Sequence, residues 1–590
     1  MKRFISLLIQ VAGITQCLSQ QIPQIANVLN RDRISLNGKW NYIVDVQEIG
    51  NSGFYMNAKI QNPEDLIEYN FDEAREMEIP SDWNTKDQRL FFYEGTVWFR
   101  KSFNYTPKPG KHVILYFGAV NYEATVYLNT KLLGKHVGGF TPFNFDVTDL
   151  IKEGENFVIV KVDNKRKAEN VPTQSFDWWN YGGITRDVYL IETEEVYIQN
   201  YFFLLDKTNT NQVLFTAELN SETSGKDIEV NIPELNINQI FTTDSDGKIS
   251  GKIEITNLSL WSPENPKLYS VELKLENVIL KDEIGFRTIE TSGKKILLNG
   301  KPIFLRGVSI HEEKAEGGGR ANSVEDAQKL LSWAKDLGCN YVRLAHYPHN
   351  EYMVREAEKM GIMVWSEIPV YWDISWENSA TLENAKNQLI DMISRDRNRA
   401  NIIIWSIANE TPKVDVRDKF LGQLADLARF LDSSRLISMA MQVNHADNNV
   451  NIVQDNMNKY VDVISFNEYI GWYNAVNAAK AVWEISYNKP IIISEFGGGA
   501  KSGFHGNQNQ RWTEEFQENV YIQNLSMFDK IDGLAGITPW LLKDFRSPRR
   551  PLDGIQDLYN RKGLFSDNGE KKNAFYVVKE WYKKKMEEWK

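Results

Sequence analysis

The spacing of hydrophobic and polar positions changes twice along the chain. In the first part, residues 113–117, 124–128 and 157–162 are short runs rich in β-branched and aromatic side chains, separated by turn-forming residues. Runs of this length and composition are typical of β-strands. The pattern predicts an all-β domain over residues 24–194, most simply a jelly-roll β-sandwich.

A second, shorter β region follows over residues 195–289. Residues 213–219 and 269–275 largely alternate between apolar and polar side chains, as half-buried strands do. A region of this size with strands at this spacing fits an immunoglobulin-like β-sandwich.

From residue 290 to residue 590, strand-like apolar runs alternate with amphipathic helices. The clearest helix is capped by Ser323 and has Asp326 at the position that completes a capping box. The strand candidates are residues 302–307, 340–344, 362–365, 402–405, 436–440, 462–466, 491–493 and 534–537. Eight strands in alternation with helices predict a (β/α)₈ TIM barrel, so the chain as a whole is expected to be a multidomain protein with β and α/β parts.

Residues 1–19 have the features of a signal peptide. Lys2 and Arg3 form a basic start, residues 4–14 are mostly apolar, and the small Ser19 suits a cleavage site. The apolar stretch is too short to span a bilayer, and no later stretch reaches that length. The protein is therefore expected to be secreted or periplasmic, with lipidation at Cys17 or an uncleaved segment as the alternatives.

Composition narrows the class of function. The formal net charge of −11 argues against nucleic-acid binding, which requires a basic face. Once the signal peptide is removed, Cys339 is the only cysteine, which excludes an internal disulfide and a cysteine metal cluster. The sequence does not fix the oligomeric state, and a homo-oligomer stays open.

Polar, acidic and aromatic side chains recur directly after the predicted barrel strands. Active sites of TIM barrels lie at the carboxyl ends of the strands, and a core alone predicts no such bias. The residues at these positions are His311, Glu312, His346, Glu367, Asn409, Glu410, Asn467, Tyr469, Glu495 and Trp540.

Two of these residues, Glu410 and Glu495, suit glycoside hydrolysis. They follow the fourth and seventh strands, which face each other across a barrel mouth. Cleavage of a glycosidic bond needs one carboxyl group as acid and a second as base or nucleophile. The sequence contains no evident metal cluster, Ser–His–Asp arrangement or phosphate-binding loop. Spacing alone leaves open whether the reaction retains or inverts the anomeric configuration, and each glutamate alone is also compatible with a salt bridge near a helix start.

Several motifs resemble those of glycoside hydrolase family 2, over nearly all of the mature chain. They are Trp405-Ser-Ile-Ala-Asn-Glu410, Pro490-Ile-Ile-Ile-Ser-Glu495, Asn180-Tyr-Gly-Gly-Ile-Thr-Arg186, Arg306-Gly-Val-Ser-Ile-His-Glu312 and Arg343-Leu-Ala-His-Tyr-Pro348. The resemblance implies the same three domains, a retaining double displacement and carboxyl groups about 5–5.5 Å apart. No cofactor and no catalytic metal are expected, because the sequence has no complete set of metal ligands near Glu410.

The resemblance also assigns roles to single residues. It implies that Glu495 is the nucleophile and that Glu410 is the acid and then the base, with a pKa raised by burial and by the charge of Glu495. It further implies that Asn409 binds the sugar 2-hydroxyl and that Tyr469 orients Glu495. His346 and Trp540 are expected to line the subsite for the non-reducing sugar.

Within the family, the chain most resembles β-glucuronidases. Asn467-Glu-Tyr-Ile-Gly-Trp-Tyr473 resembles one of their segments, and Asn560-Arg-Lys562 resembles the motif with which they bind the uronic acid carboxylate. A lysine ammonium and an amide donor suit a carboxylate, whereas a galactoside C6 hydroxyl needs no cation. Asp177 lies where this branch reaches into the site from the jelly-roll domain. A solvated surface lysine is the alternative reading of Lys562.

Two segments depart from the usual glucuronidase pattern. Residues 546–554 contain Arg546, Arg549 and Arg550, which can add contacts to carboxylate or sulfate groups; Arg550 is our candidate for the substrate site. The segment after Trp372 is short, so the site is expected to be open and to accept oligosaccharide ends. A β-galactosidase, a β-galacturonidase and a non-catalytic carbohydrate-binding protein remain the alternatives.

Overall fold

The computed structural model describes residues 22–59, 69–445, 449–473 and 478–589. The predicted signal peptide, residues 1–19, lies outside these ranges. None of the helices within them is long and apolar enough to cross a membrane.

The N-terminal domain is an antiparallel jelly-roll sandwich, as predicted. One sheet has the spatial strand order Arg75–Ile79, Gly38–Val44, Thr96–Tyr105, Gly154–Asp163, Glu123–Leu128 and Lys131–Val137. The facing sheet has the order Arg33–Ser35, Val188–Glu194, Lys111–Phe117 and Phe143–Asp146. The inward positions of both sheets form one core, in which Trp40, Phe99, Leu115 and Val160 are fully or almost fully buried.

The second domain is a smaller sandwich with its own core. Its three-stranded sheet contains Ile198–Leu205, Gln212–Leu219 and Lys248–Glu254. Its four-stranded sheet contains Ile237–Thr242, Asp227–Ile232, Tyr269–Leu275 and Val278–Ile284. Their burial alternates along the strands, which is the pattern that identified residues 213–219 and 269–275 in the sequence.

The C-terminal domain is built on a parallel barrel sheet whose predicted strands are all confirmed. The strands are Leu305–Arg306 with Ser309–Ile310, Tyr341–Leu344, Met363–Glu367, Ile402–Asn409, Leu436–Gln442, Ile464–Asn467, Ile491–Glu495 and Leu534–Ile537. The first strand is split at Gly307, where a Cβ atom would lie 2.3 Å from the ring of Tyr341. Its first piece pairs with the last strand and its second piece with the next strand, so the split strand links the two ends of the sheet.

Helices cover the outside of the barrel. They are Val324–Leu337, Glu351–Lys359, Ser379–Asp396, Asp415–Leu431, Glu514–Phe528 and Asn573–Glu588. The hydroxyl of Ser323 accepts a hydrogen bond from the Asp326 N–H, which confirms the predicted cap.

The jelly-roll domain contacts the mouth of the barrel through buried polar groups. Arg186 Nη2 donates to Glu312 Oε1 over 2.9 Å and to the Pro348 carbonyl over 2.7 Å. The Tyr181 hydroxyl donates to Glu313 over 3.0 Å. Glu312 and Glu313 follow the first barrel strand, so these contacts hold the jelly-roll loop that contains Asp177 beside the carboxyl ends of the strands.

Candidate active site

Glu410 lies directly after the fourth barrel strand, where the backbone turns sharply. Its φ angle of 49° lies in the left-handed region, and its N–H donates to the Ala440 carbonyl over 2.8 Å. A non-glycine residue rarely adopts this conformation, and such positions are concentrated in functional sites. The turn exposes the carboxyl group to two donors, Asn467 Nδ2 at 2.9 Å from Oε1 and Trp372 Nε1 at 2.9 Å from Oε2.

Glu495 ends the seventh strand and is held by two other donors. The Tyr469 hydroxyl donates to its Oε2 over 2.7 Å, and Arg343 Nη1 donates to its Oε1 over 2.7 Å. Tyr469 and Glu495 therefore meet as the sequence predicted.

Arg343, on the second strand, connects several of the polar groups. Its guanidinium is fully buried and pairs with both carboxylate oxygens of Glu367, at 3.0 and 3.1 Å. It also donates to Asn409 Oδ1 over 2.8 Å. Burial alone would raise the pKa of Glu367, but the charge of Arg343 and the contact with His346 outweigh burial and lower this pKa to about 2. Glu367 is thus ionised at neutral pH and pairs with Arg343.

The two candidate catalytic carboxyl groups differ electrostatically. Burial raises the pKa of Glu410, and the charge of Glu495 raises it further, although the hydrogen bonds from Asn467 and Trp372 act in the opposite direction. Glu495 instead receives the charged donor of Arg343. Glu410 is therefore favoured as a proton donor, and the arginine cation beside Glu495 suits a carboxylate nucleophile, which are the two groups that glycoside hydrolysis requires.

His346 and Trp540 form one wall of the site. Their ring centroids are 4.7 Å apart with an interplanar angle of 26°, and both residues are buried. His346 Nδ1 lies 2.8 Å from Glu367 Oε1, and its Nε2 lies 3.7 Å from Glu495 Oε1. The wall continues with Trp178 of the jelly-roll domain, whose ring lies 5.7 Å from that of His346.

Asn409 and Asn467 contact each other beside Glu410. Asn467 Nδ2 contacts Asn409 Oδ1 at 3.2 Å, and Asn467 Oδ1 accepts a hydrogen bond from Ser494 over 2.7 Å. The Nδ2 group of Asn409 is buried without a hydrogen-bond partner among the described residues. A buried donor of this kind is costly unless a ligand satisfies it, which agrees with the predicted contact to a sugar hydroxyl.

Asn560 and Lys562 are buried at 2% and 4% exposure, so Lys562 is not a solvated surface charge. Lys562 Nζ donates to the Tyr473 hydroxyl over 2.9 Å and lies 5.4 Å from the ring centroid of Tyr469. Among the described residues, Lys562 forms no ion pair. The Tyr469 hydroxyl contacts Glu495, so Tyr469 lies between the Lys562 ammonium group and the predicted nucleophile.

Asp177 joins the jelly-roll domain to this part of the site. Its Oδ2 pairs with Arg550 and accepts a hydrogen bond from Asn560 over 3.2 Å. Its Oδ1 accepts a hydrogen bond from Ser547 over 2.6 Å. Arg546 points elsewhere, because its guanidinium lies 5.2 Å from the ring centroid of Phe91.

The structure thus brings together Asp177, His346, Asn409, Glu410, Asn467, Tyr469, Tyr473, Glu495, Trp540, Arg550, Asn560 and Lys562; their roles remain predictions. Two residues of the same network, Arg343 and Trp372, were not among the sequence-predicted site residues, and Glu367 was named only as a residue that follows a barrel strand. Glu367 follows a barrel strand and Arg343 lies in a quoted motif, so both had a usable signal. Trp372 had no such signal in the sequence, because its contact with Glu410 depends on the conformation of a loop.

The described ranges contain no group of His, Cys, Asp or Glu side chains that could hold a metal ion.

Comparisons with known proteins agree with this architecture. The "Glycosyl hydrolases family 2, sugar binding domain" model matches residues 34–194, the "Glycosyl hydrolases family 2" model matches residues 196–287, and the "TIM barrel domain" model of that family matches residues 289–586.

Similar proteins come from several bacteria. A protein of Formosa agariphila named "Putative beta-glucuronidase" is 30% identical over 564 residues, which cover 86% of this chain and 66% of that protein. The solved β-glucuronidase of an uncultured Clostridium sp. has 26% identity and a TM-score of 0.81, covering 96% of this chain and 100% of the other. A β-galacturonidase of Eisenbergiella tayi, solved with galacturonate, shares the fold at 24% identity, with a TM-score of 0.79 and coverage of 94% and 98%. Since the three family models account for nearly all of the described residues, the chain belongs to glycosyl hydrolases family 2.

Proposed function

We propose that the protein is a retaining exo-β-glycosidase that releases β-D-glucuronic acid from the non-reducing ends of saccharides. The observation that carries the sugar assignment is Lys562, whose buried ammonium group has no ion-pair partner among the described residues. This group lies near the ring of Tyr469, and the hydroxyl of the same tyrosine contacts Glu495. A buried charge without a partner is unfavourable, so a site of this kind is suited to an anionic ligand.

Asn560 supports the same assignment. It lies beside Lys562 in the chain, is buried, and has its amide held by Asp177. An amide and an ammonium at one end of a pocket can bind both oxygens of a C6 carboxylate. The names of the bacterial relatives point to the same substrate class.

In the proposed mechanism, the Glu495 carboxylate attacks the anomeric carbon while Glu410 transfers its proton to the glycosidic oxygen. The bond between this oxygen and the anomeric carbon breaks, the leaving saccharide departs, and a glycosyl-enzyme ester remains on Glu495. Glu410, now an anion, then takes a proton from water as the water oxygen attacks the anomeric carbon. The ester bond between this carbon and Glu495 breaks, which releases glucuronic acid and restores the Glu495 carboxylate. The hydrogen bonds from Tyr469 and Arg343 hold the Glu495 carboxylate in position for the first step.

A β-galacturonidase is the second candidate, because galacturonate carries the same C6 carboxylate and a solved β-galacturonidase shares the fold. The two sugars differ only at C4, where the direction of a hydroxyl decides the fit. A β-galactosidase is less favoured, because a neutral C6 hydroxyl leaves Lys562 without a counter-charge.

The test is the kcat/KM of the p-nitrophenyl β-glucuronide, β-galacturonide and β-galactoside with the wild type and with Lys562→Ala. We expect the glucuronide to be preferred and its kcat/KM to fall roughly 10- to 100-fold in the variant, the loss expected for one hydrogen bond to a charged group. The galactoside should be unaffected by the substitution. A preferred galactoside with no effect of Lys562→Ala would overturn the glucuronide assignment, and Glu495→Gln serves as the inactive blank.

Export of the protein and action on oligosaccharides from polysaccharide breakdown belong to the same proposal. They are supported by the sequence features of residues 1–19 and by the short segment that follows Trp372.

A further inference from the structure

The ring of Trp372 connects Glu410 to an arginine from another part of the barrel domain. Its indole N–H donates to Glu410 Oε2 over 2.9 Å. The guanidinium carbon of Arg549 lies 5.1 Å from the Trp372 ring centroid, within the range of a cation–π contact. Arg549 is therefore one side chain away from the predicted acid.

Arg549 is held in place by hydrogen bonds, but its charge is not neutralised by an ion pair with any described residue. Its Nη1 donates to the Ser175 hydroxyl over 3.1 Å, and its backbone N–H lies 3.3 Å from the Ser547 hydroxyl oxygen. Ser547 in turn donates to Asp177. The guanidinium itself is exposed and forms no ion pair with any described residue.

The neighbouring charged groups are already engaged. Arg550 pairs with Asp177, and Arg546 stacks on Phe91. The exposed Asp373 follows Trp372 in the chain, and its Oδ1 accepts a hydrogen bond from the Trp376 indole over 2.8 Å. Among the arginines of residues 546–554, Arg549 is therefore the one whose charge is available to a ligand.

The position of Glu410 shows which part of a substrate would meet Arg549. An acid that cleaves a glycosidic bond must contact the oxygen of the leaving group. The Trp372 indole N–H contacts the Glu410 carboxyl group itself, and the Arg549 guanidinium lies over the indole face. Both side chains are therefore close to the group that must reach the oxygen of the leaving saccharide.

We propose that Trp372, Arg549 and Ser175 form a leaving-group subsite for a saccharide that carries an oxyanion, either a sulfate ester or a carboxylate. The inference rests on the proposed glucuronidase function, because that function makes Glu410 the acid that contacts the leaving group. An indole face suits the apolar face of a sugar ring, and a guanidinium can donate two parallel hydrogen bonds to a sulfate or carboxylate group. Because the guanidinium is exposed, the contact should be modest and sensitive to salt.

The test compares β-glucuronosyl disaccharides that differ only in the leaving sugar: glucose, the 2-, 3- and 6-sulfates of glucose, and glucuronic acid. For each enzyme, the measured quantity is the ratio of kcat/KM for an anionic leaving sugar to kcat/KM for glucose. We expect at least one anionic leaving sugar to give a ratio of about 2 to 5 in the wild type at low salt, and we expect Arg549→Gln to bring the ratio close to one.

Arg511→Gln is the matched control. Arg511 is also an exposed arginine over a tryptophan, 3.9 Å from the ring centroid of Trp472. The indole nitrogen of Trp472 has no hydrogen-bond partner among the described residues, so it does not contact Glu410. The control variant should keep the wild-type ratio. Preference for sulfated sugars alone identifies a sulfate subsite, and equal preference for glucuronic acid identifies a general oxyanion subsite; both outcomes support the proposal.

A ratio near one in the wild type, or an equal loss in Arg549→Gln and Arg511→Gln, would overturn the subsite. If the wild type hydrolyses p-nitrophenyl β-glucuronide in that case, the proposed function stands without the subsite. A second measurement does not need turnover. Ligand NMR measures the binding of glucose and of its monosulfates to the wild type and to Arg549→Gln. Binding of a monosulfate that Arg549→Gln abolishes supports the subsite even if the glucuronide proves to be the wrong substrate, and equal binding by both proteins overturns it.

Discussion

Arg343 Nη1 donates to Glu495 Oε1 over 2.7 Å, and both side chains are buried in the centre of the barrel mouth. The same guanidinium pairs with Glu367 and donates to Asn409, so a single cation fixes three side chains from three strands. A planar group with five N–H donors can do this, whereas a lysine offers one point charge. The predicted nucleophile is therefore positioned by a residue that lies outside the substrate contacts predicted from sequence.

The first prediction concerns this cation. Arg343→Lys should lower kcat/KM for the β-glucuronide by about 100-fold or more, because Lys cannot maintain all of these contacts. Arg343→Met should also destabilise the fold by roughly 3–5 kcal/mol, since it leaves buried Glu367 and Glu495 without their counter-charge. Activity assays and urea unfolding measure the two effects. Arg511→Lys, which changes an exposed arginine, is the control, and an unfolding midpoint for Arg343→Met equal to that of the wild type would contradict the prediction.

The second prediction separates two neighbouring tyrosines. Tyr469→Phe removes the hydroxyl that contacts Glu495, and kcat should fall about 100-fold or more, the cost found when one preorganised donor is removed from a catalytic site. Tyr473→Phe removes a hydroxyl that contacts Lys562 instead. It should act mainly on KM for the glucuronide. Steady-state kinetics with both variants provide the test, and similar kcat values for the two would show that the Tyr469 hydroxyl has no role in the chemical step.

The sequence predicted the barrel and most of the site because both depend on local signals. Each barrel strand is a short apolar run, and Glu410, Glu495 and Asn467 follow such runs directly. Contacts made by loops were not predictable. Trp372 reaches Glu410 from a backbone φ of 56°, and Arg550 meets Asp177 across 373 residues of chain. The first contact depends on the conformation of a loop and the second on how two domains pack, and no periodicity along the chain records either.

The third prediction is a pH effect on Glu410. Its raised pKa, due to burial and then to the charge of Glu495, extends the protonated form to higher pH than in an ordinary glutamic acid. The indole of Trp372 donates to the carboxylate and so lowers this pKa. In Trp372→Phe, the fall of kcat/KM on the alkaline side should therefore move to higher pH.

Methyl β-glucuronide is the substrate for this measurement, because its alkoxide leaving group needs a proton. The matched control is p-nitrophenyl β-glucuronide, whose leaving group needs little protonation and whose alkaline limb should respond less to the substitution. A shift to lower pH in Trp372→Phe would contradict the assignment of Glu410 as the acid.

The fourth prediction concerns Glu468, which lies between Asn467 and Tyr469 and is buried. The Ile470 N–H donates to its Oε2 over 2.8 Å, while its Oε1 has no hydrogen-bond partner in the described part of the chain. Burial raises the pKa of Glu468 from 4.5 to about 8, although the Ile470 N–H acts in the opposite direction. The folded protein therefore keeps a proton at neutral pH that the unfolded chain releases.

The sign of the stability effect follows from this difference. Below pH 4.5 both states hold the proton, and between pH 4.5 and about 8 only the folded state does, so unfolding releases a proton and stability falls as pH rises through this window. Glu468→Gln mimics the protonated side chain and removes this dependence. Calorimetric Tm values should therefore be similar for the two proteins near pH 4.5, and the variant should be clearly more stable near pH 8. Glu367→Gln provides a control of opposite sign, because the pKa of Glu367 is lowered to about 2 and its ionised form stabilises the fold above pH 4.5. A Tm difference between wild type and Glu468→Gln that is the same at both pH values would show that Glu468 ionises alike in the folded and unfolded states.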